Sequence, residues 1–74
     1  MDEQPFNIGD SIRLVAMVND PYPIQPGEIG VVTACDWKGI NQGWWQVCVD
    51  WASGRSLMLS VPPDIAVRVE ALWS

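Results

Sequence analysis

Polar and apolar residues alternate in short bursts along the chain. From Ser11 to Val18, one parity carries Ile12, Leu14, Ala16 and Val18, and the other carries Arg13, Val15 and Met17. A period of two belongs to a strand with one face toward a core, so the spacing predicts a first strand over 11–18. Asn19 to Gly27 then holds three prolines and a glycine. Proline fixes φ and lacks an amide donor, so this stretch reads as an extended loop ending in a turn at Pro26-Gly27. Ile29 to Cys35 is β-branched at Val31, Val32 and Thr33 and predicts a second strand. Gly30 inside it marks a bulge or a close backbone approach.

Asp36 to Gly43 is polar, contains two glycines and reads as a loop carrying Trp37. Trp44 to Trp51 predicts a third strand. Its core face is Trp45, Val47, Val49 and Trp51, and its outward face is Trp44, Gln46, Cys48 and Asp50. Ala52-Ser53-Gly54 predicts a tight turn into a fourth strand over 55–61, with Leu57, Leu59 and Val61 inward. Pro62-Pro63-Asp64 ends that strand, and Ile65-Ala66 reads as one 3₁₀ turn. Val67, Val69 and Ala71 are the expected inner face of a fifth strand, with Trp73 plugging the open end. Residues 1–8 read as a lead-in anchored by Phe6 and Ile8, and residues 9–74 as one domain. No ten-residue segment has a helical period.

Five short strands, a long first loop and a 3₁₀ turn before the last strand describe an all-β fold. The expected architecture is a small five-stranded, partly open SH3-like barrel, because closure removes edges that a flat meander exposes. An OB-type barrel competes, but it needs longer strands and a helix.

Composition narrows the function classes. The 74 residues are 49% hydrophobic and 18% charged, which is a folding composition. Nine acids against four bases give a net charge of −5, and there is no histidine. Arg13, Lys38, Arg55 and Arg68 are too few and scattered for a nucleic-acid footprint; the net charge reads first as solubilising, with an acidic surface that docks on a basic protein partner as the second reading. Without histidine, imidazole acid–base catalysis and His-ligated metals are absent. Cys35 and Cys48, in a hairpin centred near Ile40, are not opposed, so two free thiols in a reducing compartment are expected. Met-Asp-Glu-Gln-Pro is no signal-peptide core, and no apolar run approaches the ~20 residues of a membrane span. The expected compartment is the cytoplasm.

Several segments resemble a bacterial family of small uncharacterised proteins, domain of unknown function 4314. They are Gly9-Asp10-Ser11-Ile12-Arg13-Leu14-Val15, Asp20-Pro21-Tyr22-Pro23-Ile24-Gln25-Pro26-Gly27, Gly30-Val31-Val32 and Val49-Asp50-Trp51-Ala52-Ser53-Gly54-Arg55-Ser56-Leu57. The resemblance implies an accessory protein of a phage, plasmid or other mobile element, and it adds no catalytic residue. The stretch Lys38 to Trp44 departs from it as an enlarged loop. Gly43-Trp44-Trp45, Gly54 and Pro62-Pro63-Asp64 are also similar in order to signals of eukaryotic SH3 domains, but the Ala-Leu-Tyr-Asp-Tyr segment is missing.

Candidate binding residues are aromatic. Trp44 and Trp45 are adjacent in a strand and must face opposite ways, leaving Trp44 outward. Tyr22 is held between two prolines, and Trp37 sits beside Lys38. Asp50 and Arg55 suggest a cross-turn ion pair, and Asp20, Asp36 and Asp64 suggest caps at turn starts. No calcium loop or phosphate loop is present, so no metal or cofactor is expected. The sequence therefore reads as a non-enzymatic protein-interaction module presenting Tyr22, Trp37 and Trp44 on an acidic barrel. Two alternatives are a single-stranded nucleic-acid-associated barrel and a pore-type enzyme assembled from several chains. The second is similar to plasmid-borne SH3-like reductases in size, but their active-site run has no match at Ser56 to Ser60.

Overall fold

In the computed structural model, which describes residues 4–18 and 20–70, the β-branched run that starts at Ile29 continues to Gly39. Five strands form: β1 (Ser11–Ala16), β2 (Ile29–Gly39), β3 (Gly43–Trp51), β4 (Leu59–Val61) and β5 (Ile65–Val69). All neighbours are antiparallel in one sheet of order β4-β3-β2-β1-β5. The sheet is open, with β4 and β5 as its edges. The described residues contain no helix.

The stretch expected to be a loop at Asp36 to Gly43 is mostly ladder. Asp36 pairs with Gln46, Trp37 with Trp45 and Lys38 with Trp44. The Trp37 and Trp45 rings meet edge-on at 5.4 Å and 66°. Such a cross-strand aromatic pair contributes about 0.5–1.5 kcal/mol beyond its area, enough to offset a polar composition. Gly39, at φ +123°, closes the hairpin where a Cβ would strike the Gln42 carbonyl. Only Ile40, Asn41 and Gln42 remain unpaired between β2 and β3.

A bulge between Val32 and Ala34 sets the register beyond it. Cys35 pairs with Val47 and Cys48 with Ala34, two positions away from a hairpin centred near Ile40. Directly paired residues share a face and neighbours alternate, so the two cysteines point to opposite sides. Both are free.

The fourth strand is shorter than its pattern suggests. The Trp51 indole N–H donates to the Leu57 carbonyl at 3.0 Å, and the ladder lapses at Leu57-Met58. Before that break only Asp50 and Ser56 form an isolated bridge. The expected 3₁₀ turn is absent, because the Asp64 side chain closes the turn itself. Its carboxylate accepts from Ser60 N–H at 2.9 Å and from Val18 N–H at 2.7 Å, and Ile65 pairs at once with Ala16.

Parity in β5 follows β1. Ala66 lies opposite buried Leu14 and packs on the core, whereas Val67 and Val69 oppose Arg13 and Ser11 and face outward. The inward reading of Val67 and Val69 is thus corrected. A second irregularity between Leu14 and Ala16 turns Met17 onto the core and leaves Val18 exposed. The proposed inward Ala71 and plugging Trp73 lie outside the described residues.

Ile12, Leu14, Val32, Val47, Val49 and Leu59 fill the core on the inner face of the sheet. Phe6 and Ile24 enter it from the lead-in and the proline loop, but Ile8 is 70% exposed and anchors nothing. The turn at Pro26-Gly27 forms as expected: Glu28 N–H donates to Gln25 O at 3.2 Å and Gly27 sits at φ +94°.

Gly30 pairs with Ile12 on one side and Trp51 on the other. A Cβ there would lie 2.5 Å from Val49 Cγ1 and 2.7 Å from Trp51 Cε3. Gly30→Ala should therefore cost about 1–3 kcal/mol by overpacking, read as a lower urea midpoint. Asp64 is buried, and Asp64→Ala leaves two backbone donors unpaired. The same titration should show a loss of about 2–4 kcal/mol.

Candidate functional site

The outward face of β5, β1 and β2 is unusually apolar for a surface. One cross-strand row runs Val69, Ser11, Val31 and Asp50, and the next runs Val67, Arg13 and Ile29. Directly opposed residues hold their Cβ atoms about 4.5–5.5 Å apart, so each row is a contiguous strip. Val31 is 42% exposed, and Ile29, Val67 and Ile65 are exposed beside it. Among the described residues a groove of about 530 Å³ opens on this face, with Ile29, Val31 and Val69 as its apolar wall. Arg13 lies within it, and the carboxylates of Asp50 and Glu70 flank it. Ser56 Oγ–H donates to Asp50 at 2.9 Å, which fixes that carboxylate at the groove's border.

Such an arrangement suits burial of an aliphatic or aromatic group, with the two carboxylates offered to a cation. No group of three or more His, Cys, Asp or Glu among the described residues could hold a metal.

Tyr22, Trp37 and Trp44 are not brought together. Tyr22 is 77% exposed at the far end of β3, where the Arg55 guanidinium donates to its carbonyl at 2.6 Å. Asp20 caps the Tyr22 N–H at 2.8 Å, as its place in the loop suggested. Trp44 lies at the opposite end of β3, roughly 20 Å of strand away at about 3.3 Å per residue. It is 42% exposed and faces outward, on the same side as Val31 and Asp50. Trp37 faces the other side and is half-buried against Trp45. One aromatic patch is therefore replaced by one outward tryptophan and a separate tyrosine.

Other polar expectations change as well. Arg55 reaches the loop carbonyls of Tyr22 and Pro23, so it makes no ion pair with Asp50. The ion pair that does form is Arg68 with Asp10, at 3.0 Å. Asp36 sits within β2 and caps no turn. The apolar groove was missed because alternation was used to find one buried face per strand. Its signal was present: β2 carries β-branched residues on both parities, at Ile29, Val31 and Val32, and β5 carries Ile65, Val67 and Val69 on a single parity.

No family model, curated protein or solved structure matches the chain.

Burial pushes the Cys35 thiol above its ordinary 9.0, helped by the nearby Asp36 and Cys48 and opposed by a hydrogen bond from the Phe6 backbone. A raised value in the folded state means the unfolded chain releases this proton first. The contribution is complete below about pH 9 and fades as pH rises through the folded value. Comparing wild type with Cys35→Ala by urea denaturation from pH 7 to 10.5 should show wild type losing its relative advantage above pH 9.

Proposed function

We propose that this chain is a non-enzymatic protein-interaction module that buries an apolar segment of a basic partner in the outward groove of β5, β1 and β2. The carrying observation is the groove itself: an aliphatic wall of Ile29, Val31 and Val69 between two carboxylates, in a chain of net charge −5. Apolar contact supplies affinity there, and the acidic flanks steer encounter and select a cationic neighbour. Trp44 faces the same side but lies six residues along β3 from Asp50, roughly 20 Å from the groove, and Tyr22 stands apart as a loop contact.

Pairing of the first strand with the last, beside a β2-β3-β4 meander, supports reading the open sheet as a partly open SH3-like barrel. The resemblance of the Asp20 to Gly27 and Val49 to Leu57 segments to domain of unknown function 4314 supports an accessory role in a phage, plasmid or other mobile element. Two free thiols fit a cytoplasmic setting, and no helix is long and apolar enough to cross a membrane among the described residues.

Selection from a displayed random-peptide library should enrich segments pairing an aliphatic or aromatic residue with Lys or Arg. Amide shifts on titration should cluster at Ile29, Val31 and Val69. Val31→Glu should weaken binding at least about tenfold, near 1.4 kcal/mol, with little change in thermal midpoint. Shifts confined to other faces, or tighter binding of an oligonucleotide than of any peptide at physiological salt, would overturn the reading.

A further inference from the structure

The two edges of the sheet are finished very differently. β4 has three residues and runs directly into Pro62-Pro63, the kind of short, proline-ended edge that resists strand addition. β5 has five residues, Ile65-Ala66-Val67-Arg68-Val69, with no proline or lysine. Among the described residues it pairs only with β1, and no backbone hydrogen bond reaches its other edge. Unpaired N–H and C=O groups on an apolar, β-branched strand form a template for another strand.

We propose that β5 pairs antiparallel with β5 of a second copy, about a two-fold axis through Val67. The inference rests on the strand's backbone and register, independently of the groove. Centring on Val67 pairs all five residues. Ile65 meets Val69 of the copy, Val67 meets Val67, and Ala66 leaves room opposite Arg68. Aliphatic pairs of this kind contribute across a ladder, where like charges would oppose it.

Charge along the strand does not oppose the same partner. Between Asp64 and Glu70 the only charged residue is Arg68, which is already paired with Asp10. In a chain of net charge −5, this edge is free of carboxylates along its paired length. Two acidic copies can therefore meet here with no carboxylate facing another along the five paired residues. Only at the strand ends does Glu70 come beside Asp64 of the copy.

Sedimentation equilibrium of the full chain across concentrations at physiological salt tests this arrangement. Wild type should pass from monomer to twice the monomer mass as concentration rises. Val67→Lys and Val67→Glu should each raise the dissociation constant at least about tenfold, because like charges then face one another across the axis. An equimolar mixture of the two should recover the dimer, a rescue that general destabilisation cannot produce. Far-ultraviolet circular dichroism and thermal midpoints verify that both variants are folded. Glu70→Gln should tighten association. A wild type that stays monomeric at every concentration would overturn the proposal and leave the edge to a strand of another protein. Dimers that survive both single charges, or a mixture that fails to recover them, would overturn it equally by locating the contact elsewhere.

Discussion

The rest of the structure hangs on the contact of Trp51 with Gly30. Gly30, like the adjacent Val31, is paired on both sides, with Ile12 of β1 and with Trp51 of β3. Only a residue without a Cβ lets the indole and Val49 close onto β2 there. Once seated, Trp51 organises its neighbours. Its indole N–H takes the Leu57 carbonyl, and its backbone N–H donates to the Arg55 carbonyl at 2.8 Å. The turn so formed positions the Arg55 guanidinium against the carbonyls of Tyr22 and Pro23. Sheet register, the start of β4 and the course of the proline loop thus share one tight packing event. Such contacts are unforgiving of added volume, because a close-packed interior has nowhere to move it.

A chain this short has a high ratio of surface to volume, and scattered exposed aliphatics are ordinary. What distinguishes the outward face of β5, β1 and β2 is contiguity across three strands. The inner side of that sheet already carries Ile12, Leu14 and Val32. β-branched residues on both parities of β2 then leave Ile29 and Val31 in solvent, and the outward parity of β5 adds Val67 and Val69, with Arg13 among them. A strand apolar on both faces is usually one covered on both faces. Here the second cover is missing among the described residues, and a partner is the simplest way to supply it.

How far the sequence discloses this structure depends on the kind of signal. Period-two alternation located all five strands and identified the inner face of β3 residue by residue. It failed where a long-range contact overrode local pattern. The Trp37–Trp45 pair pulled a polar, glycine-containing stretch into the ladder. Asp64 reached 46 positions back to Val18, leaving no need for a 3₁₀ turn. The bulges near Thr33 and Val15 each shifted parity by one, which no count of apolar residues reveals. Functional residues were less legible than strands. An outward Trp44 follows from adjacency to Trp45 alone, but grouping it with Tyr22 and Trp37 required knowing which end of β3 each occupies. The groove needs three registers at once, and registers are set by tertiary contacts.

The two surfaces argued from this structure are contiguous, and that has a mechanical consequence. β5 forms both one wall of the groove, through Val69, and the free edge of the sheet. Joining two copies edge to edge would continue the sheet across the axis and set two grooves side by side on one face. A partner presenting two apolar, cation-bearing segments would then engage both. The second contact would form at an effective concentration fixed by the segment spacing, which can raise avidity by factors of about 10²–10⁴ with no new chemistry. Strengthening would be reciprocal, since a bivalent partner holds the copies together as firmly as the copies align the grooves. A shallow groove in a 74-residue chain would otherwise bind weakly, because small interfaces must offset the full cost of lost translational and rotational freedom. Doubling the site spreads that cost over two contacts, a physical reason for an edge strand this apolar to be left unguarded beside a groove.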